Sequence, residues 1–535
     1  MVSKFIARDC ELSTTGVDAS NHMLDPWFVS RRVLAQIGTV FDSRHKSIWP
    51  SNSSCDENSY ASAYSTDCLR TWPSNGQCYY CDMAHVEVCT AETNRPRQFA
   101  AQCISTLLVA EEARRFAEQA GDQGYRFLLS SANADTLDPA ISWGTHLNVA
   151  IADTLWDDLF ITHRHPACLG YVASVMAAAI PFFGTGYLLS LKDGTTIFSL
   201  SGRAHHLSCV HTLATTERFR RGLLNTRREP HGTGQDRLHL IGFDYCLISS
   251  ALLSSFLQCA LAAAEVGYFR LALEDPVRAM RTWSWRQDCS KARLSAVATL
   301  TDGRTLTLPE YLRQLVKTYL RMVEAGLITT EVAPEAEELL PIIIELTHYA
   351  EEGSLPRCAK HLDWAAKLLL LQEIDGSYSD PSVRLMDHDF ANTDPSRGTF
   401  WRLWENGLVD PLIDLGQAKS CITEAPAESR AWARGQLIEW FSEDICDVNW
   451  GHVNVRLEPK RWGRQMRVDL PHLESLNRNQ LQPLLCHAHS VADLERLLDS
   501  EVGEHGDVHH RDPMMKTTDQ SNSVPQENNH QRDRP

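Results

Sequence analysis

The stretch from Asn75 to Glu92, NGQCYYCDMAHVEVCTAE, gathers Cys78, Cys81, Cys89, His85, Asp82 and Glu87 within a few turns of chain. Two chemistries compete for it. Cys78-x-x-Cys81, with His85 and Cys89, could hold zinc or act as a redox dithiol. Asp82 and Glu87 could instead supply hard oxygen ligands or an acid–base pair. Strand geometry separates the two. Side chains alternate faces along a strand, so positions i and i+2 share a face and positions i and i+3 do not. If Gln77–Asp82 is a strand, as the aromatic pair Tyr79-Tyr80 favours, then Cys78, Tyr80 and Asp82 share one face and Cys81 points away. A zinc or redox CxxC needs both sulfurs on one side, and no second CxxC or Cys/His pair stands at finger spacing. The cysteines read as small apolar fillers. The carboxylates carry the chemistry.

Asp9 and Glu11 extend the same logic, being two apart on a first strand over Lys4–Ser13. Asp82 and Glu87 are an odd number apart, so the reading requires a bend or bulge near Met83–His85 before they converge. Carboxylates crowded onto neighbouring strands repel unless a cation neutralises them. An oxygen-rich set of this kind suits Mg²⁺ held together with substrate phosphates.

The rest of the chain must position these groups. Gln98–Ala120 has the apolar spacing of a helix with its charges confined largely to one face. Ile197–Leu200 and Arg237–Gly242 read as strands. Leu308–Ala325, Glu335–Glu351 (with a break or kink at Pro341) and Ala359–Gln372 read as helices. Tyr171–Leu189 and Leu247–Val266 are long enough to span a bilayer. Pro181, Gly184 and Gly186 in the first, and Gln258 among Ser and Ala in the second, fit buried helices of a large core better. The Ser/Asn/Asp-rich region at about 41-74 reads as a long loop, and 505-535 as a disordered polar tail. Strands gathered early and helices late give an α+β pattern.

Composition narrows the function classes. A chain of 535 residues that is 43% hydrophobic has ample material for a large core. A formal net charge of −17 without a long basic run argues against a general nucleic-acid binder. The 16 cysteines are irregularly spaced through a long chain, unlike a compact secreted disulfide scaffold. The opening MVSKFIARDCEL lacks the apolar core of a signal peptide, so the expectation is a cytoplasmic protein with reduced thiols and no membrane partner. Arg218-Phe219-Arg220-Arg221 could meet an acidic partner, and a solvated helix face is an equally good reading of it.

Several blocks then line up in order. NGQCYYCDMAHVEVCTAETNRP resembles the strand-and-turn run of the Pup ligase/depupylase family, and SWGTHLNVAIA (142–152) is similar to that family's SYGTHENYL. SGRAHH (201–206), LLNTRREPH, RLHLIGFD, LDWAAK (362–367), AESRAWARG (427–435) and DVNWGHVNV (447–455) resemble further blocks in the same order. The resemblance implies a glutamine-synthetase-like large domain (1-422), with a curved antiparallel sheet packed by helices, and a small C-terminal domain (423-504). It implies Mg²⁺ and ATP as cofactors, the small protein modifier Pup with its lysine conjugates as partner, and proteasome-system proteins as further partners.

Residue by residue, the resemblance puts Asp82 at the catalytic aspartate and Asp9, Glu11, Tyr80, Glu87, His146 and His239 at or beside the metal. It puts Thr90, Trp450, Arg203, Arg227, Arg430 and Arg434 at the nucleotide. Glu87 standing five residues after Asp82, the ETNRP run and the long early loop resemble the depupylase/deamidase branch. The alternatives are a Pup-ligase-like carboxylate–amine ligase and a non-catalytic binder of Pup-like proteins. There are departures as well. Asp9 is shorter than the family's glutamate, Cys78 replaces an arginine that contacts ATP, and Leu147 replaces a glutamate. His205 replaces an acidic or small polar residue, and Arg228 stands where an aspartate is usual.

Overall fold

The computed structural model describes residues 1–41, 47–48, 70–120, 124–135, 138, 141–191, 193–217, 220–228, 234–286, 293–374, 376–457, 464–501 and 508–511. Most of the early loop, residues 218 and 219 of the basic cluster, and most of the polar tail lie outside the described residues.

The elements that matter for the site are β1 (Ile6–Val17), β2 (Cys78–Asp82), β3 (His85–Cys89), helix α1 (Pro96–Gln119), β4 (Arg126–Ser130) and β5 (Thr145–Ala152). They continue with α2 (Pro166–Phe182), β6 (Leu207–Thr212), β7 (Arg221–Asn225), β8 (Gln235–Leu240) and α3 (Ser250–Glu265). The main sheet runs β6-β7-β8-β5-β1-β3-β2, with β4 also paired to β1. Every pairing is antiparallel except β6 with β7. β1 is its axis: Ile6–Cys10 pair with β5, Asp9–Leu12 with β3, and Ser13–Val17 with β4.

Period-two alternation gives this sheet two unlike faces. Cys10 and Leu12, Tyr79 and Cys81, Val86 and Val88, Leu147 and Val149, and Leu238 and Leu240 are all buried in one large hydrophobic cluster. Their neighbours Asp9, Glu11, Tyr80, Asp82, Glu87, His146 and His239 take the other face. The apolar face is covered by α1, α2 and α3, and α2 and α3 are buried almost throughout. This accounts for both bilayer-length apolar segments: they are core helices. The first ends at Phe182, and Gly184–Gly186 turn the chain into the strand Tyr187–Ser190. No helix among the described residues is long and apolar enough to cross a membrane.

Helices do dominate after residue 308, with Leu308–Glu324, Ala336–Glu352 running through Pro341, and Asp363–Gln372. The expected helix over Ala359–Gln372 is in fact a short turn of helix ending at Ala359 and a second helix starting at Asp363. Asp363 is buried and accepts from the backbone N–H groups of Leu247, Ile248 and Ser249, so it anchors the entry to α3 and sets the break.

The expectation that strands end early does not hold. After helix α4 (Arg430–Phe441) comes a second antiparallel sheet of β9 (Ile445–Asn449), β10 (His452–Arg456), β11 (Gln465–Asp469) and β12 (Val508–Arg511). β12 falls inside the segment expected to be disordered and pairs with β11. The two-residue alternation of DVNWGHVNV is short and flanked by polar residues, which hid it among the surrounding helices.

A second hydrophobic cluster joins this part to the main sheet, combining Trp432, Leu437, Val453 and Met466 with Trp72, Cys78 and Cys89. Cys78 and Cys81 therefore pack into two different cores on opposite faces of β2, as alternation requires. The joint is clamped by Glu92, whose carboxylate meets Arg434 at 2.6 Å and Arg430 at 3.0 Å. Arg434 also donates to the Gly76 and Trp450 carbonyls and packs against both the Trp72 and Trp450 rings. α4 approaches so closely that a Cβ on Gly435 would stand 2.0 Å from the Ser74 carbonyl oxygen.

Burial alone would raise the Glu92 carboxyl, but Arg434 and Arg430 hold it down to about 2, below its ordinary 4.5. A group held low stabilises the fold fully above its ordinary value and stops doing so as pH falls through the lowered one. Removing one partner of a buried pair strands the other charges, at a cost of about 3–5 kcal/mol. Glu92→Gln is therefore expected to lower the unfolding free energy by that margin and the thermal midpoint with it, followed by tryptophan fluorescence. It should also remove the part of the acid lability that lies between about 4.5 and about 2. Equal acid titrations for variant and parent would refute the clamp.

Candidate active site

β2 and β3 form a hairpin whose two linking residues, Met83 and Ala84, both have positive φ, at 44° and 76°. That is the sign pattern of the tight two-residue hairpin turns that suit a twisted sheet. Ser30 Oγ donates to the Ala84 carbonyl at 2.7 Å and supports the turn. The turn is the bend expected near Met83–His85, taken in place of a bulge. Reversal of the chain pairs Asp82 with His85 and Tyr80 with Glu87, so the odd spacing of Asp82 and Glu87 is resolved by the hairpin itself. Glu87 in turn pairs with Glu11, and Asp9 pairs with both Cys89 and His146. Register on β8 places His239 opposite Asn148. Asp9, Glu11, Asp82, Glu87, Tyr80, His146 and His239 thus share one face, as expected of them.

The electrostatics of this face are uneven. Burial would raise Asp9, but the hydrogen bond with His146 Nδ1 at 3.0 Å and the charge of Arg237 hold it well below the usual carboxylate range. Asn148 also donates to Asp9. Glu11 Oε2 accepts from the Gly144 N–H at 2.6 Å. Gly144 is required there, because a Cβ would stand 2.9 Å from His146 Nε2. Glu87 is 2% exposed, and burial, reinforced by Asp9, Glu11 and Asp82, pushes its carboxyl well above its ordinary value. Its Oε2 has no hydrogen-bond partner. Burial and then Glu11 also raise Asp82, at the half-exposed end of β2. Burial, next to His146, lowers His239 to about 3, so it is neutral, and neither ring nitrogen has a partner.

This donor set fits a hard divalent cation. Mg²⁺ takes one or two protein carboxylates and completes its shell with water and phosphate oxygens. The unpartnered Glu87 oxygen amid three further carboxylates is the direct sign. Among the described residues, no group of three or more His, Cys, Asp or Glu converges on one ion position. Glu87 and its cross-strand neighbour Glu11 are the residues that would hold such an ion, with the remaining positions filled by water and phosphate.

A cleft of about 290 Å³ opens beside Asp9 and Tyr80, walled by Thr90, Arg237, Arg430 and Trp450. Trp450 sits edge-on to Trp72, with ring centroids 4.7 Å apart. The Thr90 hydroxyl accepts from the Arg8 N–H at 2.9 Å, tying β1 to the strand end beneath the cleft.

The remaining arginines fall elsewhere. Arg434 is fully buried in the Glu92 clamp and is not part of the cleft wall. Arg430 reaches the wall while bound to Glu92 and the Leu470 carbonyl. Arg203 is buried, and its guanidinium donates to Ser142 Oγ and to the Trp143 and Ile241 carbonyls, fixing the loop that presents Gly144 to Glu11. Arg227 is exposed and outside the cleft wall, although its charge is felt at His239.

The departures also find places. Leu147 points into the core and away from the carboxylates. Arg228 pairs with Asp236 at 2.7 Å. His205 stacks on Tyr187. Asn148, Arg237 and Arg70 line the cleft and were not anticipated. Asn148 and Arg237 stand two positions from His146 and His239 on their strands, which is the signal that would have found them. Arg70, at the border of the long loop, carried no such signal.

Comparison with known proteins gives consistent results. The family model described as Pup-ligase protein matches residues 16–454. The chain is similar to the depupylase of Acidothermus cellulolyticus, 28% identical over 442 residues that cover 79% of this chain and 82% of that one. It is 29% identical to the Pup deamidase/depupylase of Mycobacterium tuberculosis, covering 57% of this chain and 60% of that one. It is 26% identical to the Pup–protein ligase of Xylanimonas cellulosilytica, covering 72% and 84%. The solved complex between the prokaryotic ubiquitin-like protein Pup and its ligase PafA matches 93% of this chain and 94% of the solved one, with a TM-score of 0.69 at 19% identity. PafA in complex with ADP matches 80% of this chain and 89% of that one, with a TM-score of 0.62. At these identities the structures speak for the fold, which is α+β with a mostly antiparallel sheet, like that of PafA.

The carboxylate face predicts a metal response readable without any substrate. Mg²⁺ is expected to raise the thermal midpoint of the parent protein in a concentration-dependent way. Glu87→Gln should abolish that rise while leaving the metal-free protein at least as stable, because a buried carboxyl with a raised pKa costs stability once the unfolded chain ionises. A Mg²⁺ shift that survives Glu87→Gln would exclude Glu87 as a ligand.

Proposed function

This chain belongs to the Pup-ligase protein family, and from that we propose that it is an amide hydrolase of the depupylase/deamidase type. Its substrates would be the C-terminal Gln side-chain amide of a Pup-like modifier and the isopeptide bond between that modifier and substrate lysines. The observation that carries this reading is Asp82. It stands half-exposed at the end of a strand whose face presents Tyr80, Glu87, Glu11 and Asp9, beside a cleft of nucleotide scale. The five-residue step from Asp82 to Glu87 supports the hydrolase branch.

The groups on this face divide the work. Asp82, as a carboxylate with its pKa raised by burial and Glu11, accepts a proton from water attacking the side-chain carbonyl. It then passes that proton to the departing nitrogen, as ammonia from the amide or as the lysine amine from the isopeptide, and the carbon–nitrogen bond breaks. Direct attack by Asp82 on the carbonyl is the variant of the same step. Mg²⁺, if held by Glu87 and Glu11 together with the ATP phosphates, would supply positive charge to the carboxylate face and polarise the carbonyl. Tyr80 stays protonated, burial and then Glu87 holding its phenol well above its ordinary value, so it donates toward Glu87. The His146 and Asn148 contacts keep Asp9 ionised and oriented toward the cleft.

A ligase that joins the modifier's carboxylate to lysine is the second reading. It is supported by the match to curated ligases, which covers 84% of one such enzyme. Intact-mass analysis separates the two. Gln-terminated Pup and a Pup–lysine conjugate, incubated with and without Mg-ATP, should show conversion of amide to acid and release of the conjugate. Asp82→Asn should lower both rates at least about a hundredfold. ADP formed in step with new conjugates would establish the ligase. Inert substrates together with demonstrated ATP binding would exclude the hydrolase on these substrates.

A further inference from the structure

Position 78 of this chain holds a cysteine on the wall of the second core, with its thiol pushed up to about 12 by burial and therefore uncharged. It faces that core rather than the cleft, and a cationic side chain reaches the cleft from the neighbouring segment. Thr71 and Tyr79 exchange two backbone hydrogen bonds, at 2.8 and 3.0 Å, and form an antiparallel bridge. In that register Trp72 lies opposite Cys78 and Arg70 lies opposite Tyr80, so Arg70, Trp72, Cys78 and Tyr80 share one face. Arg70 is the diagonal neighbour of Cys78 on that face. Its guanidinium lies over the Tyr80 ring, 5.0 Å from the centroid, and forms part of the cleft wall. Its charge is felt at the sulfurs of Cys78 and Cys89, the cross-strand pair beneath it.

The cleft therefore has a guanidinium on each side of Asp9 and Tyr80. Arg237 comes from β8, bonded at 3.2 Å to Asn148, and Arg70 comes from the segment leading into the hairpin. The other two arginines of the wall serve the fold. Arg8 is clasped between the Phe99 and Tyr245 rings and bonded to Cys246 and Ser250, and Arg430 holds Glu92. Planar guanidinium groups bind phosphate oxygens in pairs of hydrogen bonds. Trp450, at the same cleft, offers an aromatic surface for a base. The distance across a strand pair, not the sequence position, fixes where the charge ends up.

We propose that Arg70 is a phosphate-binding residue of the nucleotide cleft, reaching it from the segment that pairs with β2. This rests on the reading of the cleft as a nucleotide site, and calorimetry keeps the two apart. Mg-ADP and adenosine are titrated into the parent protein, Arg70→Ala and Arg70→Lys. The parent should bind Mg-ADP. Arg70→Ala should weaken Mg-ADP about tenfold or more and leave adenosine unchanged. Arg70→Lys should fall between, since it keeps the charge and loses the fork.

Unchanged Mg-ADP affinity in Arg70→Ala would overturn the assignment while leaving the cleft a nucleotide site. So would equal losses for ADP and adenosine, which would mark a loss of shape rather than of a phosphate contact. If Arg70→Ala does not fold, Arg70→Lys decides, and parental affinity there with no salt dependence would refute it. A parent protein that binds neither probe would end the nucleotide reading and this assignment together.

Discussion

Four carboxylates on one face of an antiparallel sheet repel one another, and the architecture of this protein is arranged around making that crowding tolerable. Asp9 is quenched by His146, Asn148 and the charge of Arg237. Glu11 is tied to the Gly144 N–H. Glu87 is left at the centre with a raised pKa and an unpartnered oxygen. A buried group in that state is costly in a resting fold. That unpartnered buried oxygen is what the proposed cation site rests on. The opposite, apolar face of the same strands balances this cost, since the side chains that alternate with the acids are fully buried under α1, α2 and α3.

The second constraint is the joint between the main sheet and the C-terminal sheet. Glu92 sits one strand-end away from the carboxylates yet behaves in the opposite way. It is held ionised by Arg430 and Arg434, while Glu87 is driven toward its neutral form. Burial is similar for the two, so the difference lies in the partners: two guanidinium groups against three carboxylates. Arg434 also packs against the Trp72–Trp450 ring pair, so the clamp helps to set the position of the tryptophan that walls the cleft. Arginines that read in sequence as phosphate ligands turn out to shape the site from behind.

How far the site could be read beforehand varied with the kind of rule involved. Period-two alternation placed Asp9 with Glu11, and Cys78 with Tyr80 and Asp82, and set Cys81 on the far side. It held because alternation is a local property of any strand. The bend or bulge expected near Met83–His85 is a tight turn, and only the type of turn escaped the reading. Two non-glycine residues adopting positive φ cannot be seen in the letters Met-Ala. The late sheet around Trp450 was passed over because short strands between helices leave too little periodicity to read. Arg203 and Arg434 were misplaced for a third reason. An arginine in a motif is equally suited to phosphate and to a ring of buried carbonyls, and only its surroundings choose.

By itself the sequence determined the chemistry available: the identity of the acids, their two-residue and five-residue spacings, the apolar alternation behind them, and the ordered motifs of the family. Those are carried by neighbouring residues and by resemblance, so they survive without coordinates. Tertiary structure alone decided which charges meet. The hairpin register sets Glu87 against Glu11 and Tyr80, β5 and β8 bring His146, Asn148, His239 and Arg237 to Asp9, and a bridge at Thr71 carries Arg70 to the side of Cys78. Electrostatic roles depend on distance and burial between residues far apart in the chain, and strand pairing, not spacing, sets both.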